Sequence, residues 1–496
     1  MYAIYVMNAV VAHRQRQEEV VVIKYDNVAG LQVHPVLRRF VEEEVLPGAG
    51  LQPEAFWPHL ATIVADLAPR HRDMLAVREA LQGRIDDYHR AHGGQPHDAA
   101  GYEQFLRDIG YLVPAPAADA YKVATKNVDA EMAVVAGPQL VAPLSDAAAV
   151  RAATEARWGA LYQALLDGEG GSFDAVRDVI ARVRAFLDRA YPLAGGSHAD
   201  ALAYIVEGGR LEVALADGSR RRLKVPGQFA GYTGPRHEPK SVLLAQDGLY
   251  LELNFDRDHA AGRLDAAGIA DVATEAVLSV IMDLDDTVAA ADAEDKVAAY
   301  RTWLELIDGR FGRQSGDRVF TAPAGGRLVL SGRPVMLVRH ASHDRLTDMV
   351  LDGEGRPVPE AIIDAAVTVA SAVQDFRGPH AGGNSRTGSI YVVKPGMQGP
   401  DEVGLADLLF KHIEELVGLP KYTMKIGLVD EKRRTSLNLA ACMSRVRDRT
   451  FLLKTVAAER IGDEIRTAME AGPMPRLAEM EEAAWFRAYE ANNVET

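Results

Sequence analysis

Short, unbroken apolar runs alternate with helical stretches through most of the second half of the chain. Runs of this length without polar interruption predict strands that are buried on both faces, and helices between them predict a parallel sheet. The apolar runs lie at 139–144, 278–284, 334–338, 389–393, 423–429 and 451–453. These are six candidate strands, whereas a closed (β/α)8 barrel requires eight.

Two earlier regions have a different character. Residues 31–112 carry apolar side chains at helical spacing, and within them 56–67 and 70–92 predict two separate helices. Residues 195–270 instead contain short strand-like stretches with turns at Gly208-Gly209 and Asp247-Gly248. A chain of 496 residues is long enough for about three domains, and these regions supply a helical domain and an inserted α/β domain.

Charge and cysteine content exclude some classes of function. The formal net charge of −15 disfavours binding to nucleic acid, because an acidic surface repels phosphate backbones. A single cysteine, Cys442, forms no disulfide within the chain and fits a reducing cytoplasm. No apolar run has the length of a membrane span, and the first residues lack the order of a signal peptide. We therefore expect a cytoplasmic protein that binds neither membrane nor nucleic acid.

Charged side chains follow the predicted strands where they end. Because the carboxyl ends of parallel strands meet at one side of a barrel, we expect these side chains to share a site. Carboxylates beside an arginine and a lysine favour Mg²⁺ and an anionic substrate, although any one of them alone is more often a solvated loop charge. The residues are Asp283, Asp285, Asp286, Arg339, Lys394, Asp430, Glu431 and, further along, Glu459.

The tract Asn384-Ser385-Arg386-Thr387-Gly388-Ser389, running into 390–395, resembles a barrel strand of the malate synthase G family. Further stretches resemble the same family in the same order, so that the resemblance covers about residue 30 to the end. They are 30–33, 108–112, 127–129, 136–141, 156–159, 281–283, 430–435, 462–465 and 469–474.

The resemblance implies a fold, namely a (β/α)8 TIM barrel core with an N-terminal helical domain and an inserted α/β domain. It places the last two barrel strands beyond Thr496. It also implies a division into an unassigned extension (1–27), the helical domain (28–115), the first barrel strand and helix (136–157), the insertion (158–275), barrel (276–308), a return segment of the insertion (309–332) and the continued barrel (333–496).

The resemblance further implies an enzyme that condenses acetyl-CoA with glyoxylate to give malate and CoA, with Mg²⁺ as cofactor. By position, Arg339 matches the arginine that stabilises the enolate, and Glu431 matches the first metal ligand. Glu459 falls where the family has an aspartate as second ligand, and Asp285 and Asp286 match an acidic pair beside the metal. The backbone that binds glyoxylate corresponds to Val456, Ala457, Ala458 and Glu459, and the acetyl-CoA contacts correspond to Val141, Thr287 and Arg313.

The same resemblance places the catalytic base beyond Thr496, so no turnover is expected from this chain alone. A monomer is expected if the chain is complete, and a complementing chain if it is not. Two alternatives stay open. Because the loop at 456–459 departs from the family's Gly-Phe-Leu-Asp, the first is a non-catalytic relative that keeps the fold. The second is a related Mg²⁺-dependent acyl-CoA lyase, against which the helical and inserted domains argue.

Overall fold

The computed structural model describes residues 24–135, 137–166, 173–285, 290, 292–311, 316–377 and 382–495. Within these residues six parallel strands form one sheet in chain order, β1-β2-β3-β4-β5-β6. The strands are β1 (Gln139–Pro143), β2 (Ser279–Asp283), β3 (Val335–Arg339), β4 (Ile390–Lys394), β5 (Met424–Asp430) and β6 (Thr450–Thr455). Strands that follow each other in the sequence are thus neighbours in the sheet, as they are in the wall of a (β/α)8 barrel. This order confirms the predicted fold class.

A helix follows every strand of this sheet, and the connections keep the strands parallel. All six apolar runs read from the sequence are therefore strands, with ends that differ by a few residues from the runs. The helices that follow β1 to β6 are Ala147–Glu155, Ala293–Ile307, Glu360–Ala372, Pro400–Val417, Leu439–Val446 and Ala457–Ala471.

The two faces of the sheet bury different apolar clusters. Ile281 and Leu337 belong to a small cluster on the inner face, whereas Val280 and Met336 belong to the large core shared with the helices. Because successive side chains in a strand point to opposite faces, residues two positions beyond Ile281 and Leu337 also point inward. This alternation fixes which strand-end charges reach the barrel mouth.

The N-terminal region wraps around the barrel as helices, with one difference from the prediction. Residues 56–67 and 70–91 lie in a single helix, Pro53–Ala91, which continues through Pro69, and His92 caps its end. An internal proline removes one helical hydrogen bond and costs about 3 kcal/mol. Leu60, Ile63 and Leu67 are buried against the barrel core, and buried His71 lies on the same side of the helix. The packing of this continuous face offsets the free-energy cost of the proline.

Further helices complete the described chain. Most of them are short, but Phe173–Ala190 has 18 residues, and one turn at Val41–Val45 is π-helical. Their bounds are Pro35–Phe40, Leu46–Ala49, Ala99–Asp108, Ala118–Tyr121, Ala130–Ala133, Leu161–Leu166, Phe173–Ala190, Ala260–Leu264, Gln374–Arg377, Arg433–Leu437 and Ala484–Glu495, with 3₁₀ turns at His198–Asp200, Pro226–Gln228 and Leu477–Glu482.

Antiparallel sheets make up the rest. The largest has the order Arg327–Leu330, Arg318–Thr321, Phe229–Thr233, Ser241–Gln246, Leu249–Phe255, Ile269–Glu275, Trp158–Ala160. A second joins Ala201–Glu207, Arg210–Leu215 and Arg220–Arg222, and a third joins Asp26–Val28, Leu31–Val33, Leu346–Leu351 and Pro357–Pro359. The stretch 242–255 is therefore a hairpin; Asp247 and Gly248 both take positive φ, as a tight two-residue turn requires. None of the described helices is both long and apolar enough to span a membrane.

Candidate active site

Three strands bring their terminal charges to the inner side of the barrel mouth. Asp283 lies two residues beyond Ile281 and Arg339 lies two beyond Leu337, so both side chains share the inner face. Glu431 follows β5 two residues after Val429, which belongs to the same inner cluster. The sequence prediction that these strand ends share a site is consistent with this alternation.

Arg339 is held by an acidic neighbour. Its Nε donates to Asp283 Oδ1 at 2.8 Å, and its Nη2 lies 3.9 Å from Asp285 Oδ2. Asp285 also accepts the Ser342 backbone N–H at 3.3 Å. Burial raises the pKa of Asp285, and the Arg339 charge opposes that rise. The guanidinium is thus held on one edge by Asp283, and the Arg339 side chain remains 28% exposed.

Glu431 is buried at the inner side, whereas Asp430, predicted for the same site, shares the outer face of Leu428 and accepts the Ser436 hydroxyl at 2.6 Å. Glu431 is 9% exposed, and one of its carboxylate oxygens accepts the Gly396 N–H at 2.5 Å. Burial raises the pKa of Glu431, and the negative charge of Glu459 adds to that rise. The two negative charges therefore interact unfavourably, and a bound cation would relieve that repulsion.

Lys454 is a member of the site that the sequence reasoning missed. It lies near the end of β6, where burial and the Arg339 charge lower its pKa while Asp283, Glu459 and Glu431 oppose that change. Its backbone takes part in the β5–β6 pairing, but among the described residues its ammonium group forms no hydrogen bond and no ion pair within 4.0 Å. The signal was present, since the apolar run of β6 is followed directly by this lysine, as β3 ends in Arg339.

The loop at 456–459 begins a helix. Val456 caps the helix Ala457–Ala471 with a φ of −134°, an extended conformation that a β-branched residue adopts readily. Ala457, Ala458 and Glu459 are its first turn, whose backbone N–H groups lack partners within the helix. The Val456 N–H instead donates to the Tyr489 hydroxyl at 3.1 Å. A free helix N-terminus beside Glu431 is an arrangement that binds carboxylates.

Lys394 does not face the mouth, contrary to its prediction as a cation at the site. It shares the parity of Ile390 and Val392, which pack on the outer helices, and it is fully buried there. Its Nζ donates to the Ala341 carbonyl. Burial lowers the pKa of Lys394 to about 8.

The described acids are few but chemically suited to Mg²⁺. No cluster of three or more His, Cys, Asp or Glu arranged around a metal position occurs in the described part of the chain. Mg²⁺ commonly uses one or two carboxylates and completes its shell with water and substrate oxygens. Glu431 and Glu459 supply such a pair, so the donor set fits.

Comparison with known proteins supports the family on sequence. Family models match at residues 36–99 (malate synthase, N-terminal domain), 173–246 (malate synthase G, alpha-beta insertion domain) and 335–496 (malate synthase, TIM barrel domain). Malate synthase G of Halalkalibacterium halodurans is 41% identical over 494 residues, covering 95% of this chain and 68% of that protein. The chain belongs to the malate synthase G family.

A second relative gives the same result. Malate synthase G of Corynebacterium efficiens is 42% identical over 494 residues, covering 94% of this chain and 65% of that protein. The chain thus spans about two thirds of the length of these malate synthases G. The solved Haloferax volcanii malate synthase magnesium/glyoxylate complex aligns over 44% of this chain and 60% of that one, with 15% identity and a TM-score of 0.26, too low to support an argument.

Three residues implied by malate synthase G membership lie outside the described part, namely Asp286, Thr287 and Arg313. Val141 is described; it is 48% exposed on the edge strand β1 and pairs with Ile281 of β2. Its accessible position at the sheet edge is compatible with a contact to acetyl-CoA. The predicted domain boundaries enclose the three matched regions but stay a prediction.

Proposed function

We propose that the protein condenses acetyl-CoA with glyoxylate and releases malate and CoA. The observation that supports this most is the interaction of Arg339, Glu431 and Glu459 at one end of the parallel sheet, beside a free helix N-terminus. An anionic two-carbon acid needs these features, since its carboxylate requires N–H donors and its carbonyl requires an electrophile. The family membership of the chain supports the same reaction.

In this proposal Glu431 and Glu459 hold Mg²⁺, with Asp285 and Asp286 close by. The bound ion supplies Lewis acidity at the aldehyde oxygen of glyoxylate. The backbone N–H groups at 456–459 bind the glyoxylate carboxylate, and of these the amides of Ala457, Ala458 and Glu459 are free within their helix. For the Val456 N–H to bind glyoxylate, its hydrogen bond to the Tyr489 hydroxyl, now 3.1 Å long, must break.

Arg339 acts on acetyl-CoA, which Val141, Thr287 and Arg313 would help to bind. Loss of a methyl proton leaves an enolate, and the guanidinium stabilises its oxygen while Asp283 keeps the arginine in position. The enolate carbon forms a bond to the aldehyde carbon, and water then breaks the acyl–sulfur bond and releases the CoA thiol. No described residue is assigned as the base that removes the proton.

We also propose a cytoplasmic location and a monomer, with a second chain completing the barrel as the alternative. Two other functions follow from the same fold. A non-catalytic relative is favoured by the changed residues at 456–459, and a Mg²⁺-dependent acyl-CoA lyase is favoured by the acidic metal pair.

The test is a thiol-release assay on the complete product of this reading frame. We expect CoA release that requires acetyl-CoA, glyoxylate and Mg²⁺ together. Arg339→Lys should lower kcat about 100-fold, because lysine lacks the planar fork that meets both Asp283 and an enolate. Arg356→Lys is the matched control, since that arginine pairs with Asp352 far from the strand ends and is half exposed.

A second substrate separates the three functions. Cleavage of malyl-CoA without any condensation of acetyl-CoA and glyoxylate identifies a lyase and contradicts the proposal. Absence of both reactions, with Mn²⁺ still bound at Glu431, identifies a non-catalytic relative and contradicts it as well.

A further inference from the structure

A cavity of about 840 Å³ lies between the N-terminal helices and the helices that follow β5 and β6. None of the described residues proposed to bind metal or to act on a substrate lines it, although Tyr489, which holds the Val456 amide, lies on its wall. Its walls come from Ala99–Asp108, Arg433–Leu437, Ala457–Ala471 and Ala484–Glu495. Protein pockets for small molecules span about 300 to 1,000 Å³, so the volume suits a metabolite rather than a few water molecules.

Arg460 is the main reason to expect a ligand there. The residue is 4% exposed; its Nε donates to Ser436 Oγ at 3.1 Å, and its Nη2 pairs with Glu464 at 2.7 Å. Within the described chain its Nη1 is buried and has no hydrogen-bond partner. A buried guanidinium N–H left unpaired costs free energy that an anionic oxygen would recover.

A second arginine makes the cavity net positive. Arg433 donates to the Tyr102 hydroxyl at 3.0 Å and lies 3.6 Å from the same Glu464. One carboxylate therefore serves two guanidinium groups. The remaining charged pair on the wall, Arg107 with Glu103, is joined at 2.6 Å and cancels. His89 and His97 complete the titratable lining.

Aromatic rings accompany both cations. The Arg460 guanidinium lies 5.1 Å from the Trp485 ring centre and 5.9 Å from that of Tyr489, and Arg433 lies 5.7 Å from the Tyr102 ring. Trp485 is only partly buried and lines the cavity, so part of its ring is accessible there. Rings next to a cation that keeps one unpaired N–H favour an anion that carries an aromatic group.

We propose that this cavity is a binding site for an aromatic phosphate or carboxylate, separate from the glyoxylate site. The anion meets Arg460 Nη1, and the ring stacks on Trp485. Arg460 directly follows Glu459 on the helix that begins at the active site. An occupied cavity would therefore hold in place the helix that carries a proposed metal ligand.

The test uses 1-naphthyl phosphate as probe and isothermal titration of the 496-residue chain. We expect one site with a dissociation constant below about 1 mM. Inorganic phosphate and 1-naphthol should each bind at least about tenfold more weakly, because each supplies only half of the contacts. Arg460→Gln and Trp485→Ala should each weaken the probe about tenfold or more.

Arg466→Gln is the matched control. Arg466 lies on the same helix, is half exposed and pairs with Glu79 outside the cavity, so its loss removes the same charge without touching the ligand. Trp485→Ala keeps Arg460 and its ion pair with Glu464, so it keeps the test valid if Arg460→Gln fails to fold. Failure of the probe to saturate any site by about 1 mM, or equal binding by wild type and both cavity variants, would overturn the proposal.

Discussion

The carboxylate of Asp129 accepts a hydrogen bond from the Ser385 hydroxyl at 2.6 Å, joining two segments that are 256 residues apart in the chain. The same carboxylate accepts the Tyr391 hydroxyl at 2.7 Å and the Arg386 N–H at 2.9 Å. These groups lie where β4 begins, at the opposite end of the strand from the charged mouth. The tract 384–389, which marks the family most clearly, thus anchors the segment before β1 to the barrel.

Asp129→Asn should destabilise the fold without altering the mouth. Asparagine keeps the shape but removes the charge that strengthens these hydrogen bonds and presents an N–H₂ to donors. We expect the free energy of unfolding in urea to fall by about 2 to 3 kcal/mol. Asp119→Asn, at an exposed site in the same region, is the control. A change below about 0.5 kcal/mol would show that the anchor contributes little.

Lys394 predicts an unusual dependence of stability on pH. Burial lowers its pKa to about 8 from 10.5, so between these values the unfolded chain binds the extra proton and the folded chain does not. Stability due to this group should therefore rise with pH, by about 2 kcal/mol between about pH 8 and pH 9.5, and stay flat below about pH 8.

The measurement is urea unfolding of wild type and Lys394→Met across that range, because their difference removes the titration of other groups. The free energy of unfolding of wild type minus that of Lys394→Met should rise by about 2 kcal/mol between about pH 8 and pH 9.5. Lys411→Met, at an exposed lysine, should show no such trend. A pH-independent difference between wild type and Lys394→Met would contradict the burial argument.

Replacement of Lys454 by a neutral residue should raise the affinity of the site for a divalent metal ion. Its ammonium group interacts with both Glu431 and Glu459, and a cation at that position repels Mg²⁺. Lys454→Gln should tighten Mn²⁺ binding, measured by electron paramagnetic resonance of the free ion, by about three- to tenfold. Lys421→Gln, at a fully exposed lysine, should leave it unchanged. Weaker binding by Lys454→Gln would mean that the lysine supports the site rather than competes with the ion.

The barrel strands were predicted well from the sequence, because short unbroken apolar runs between helices are typical of strands buried on both faces. Each of the six runs is a strand of the parallel sheet, and their order follows the chain. Helix boundaries were predicted less well, since two runs separated at Pro69 form one helix. Proline strongly predicts a break locally, and only packing against the barrel, which the local pattern does not show, overrides it.

The candidate site was predicted in part. Arg339 and Glu431 follow strands whose inner face is settled by alternation, so their prediction needed only the strand bounds. The prediction that Lys394 faces the mouth was wrong because the outer face of β4 is buried as fully as the inner one. An apolar run buried on both faces does not show which residues point inward. Lys454 was missed because one basic residue after a strand is common at any loop.

The most direct measurement of the central claim is the initial rate of CoA release from acetyl-CoA and glyoxylate during a Mg²⁺ titration of the complete gene product. Wild type and Glu431→Gln are compared, with Glu490→Gln, at an exposed glutamate, as the control. We expect a saturating Mg²⁺ dependence in wild type and control. In Glu431→Gln, the rate should be reduced at least about 100-fold at every Mg²⁺ concentration, because the amide is a neutral and weaker ligand. CoA release that does not depend on glyoxylate, or a rate for Glu431→Gln equal to that of wild type, would contradict the proposed function.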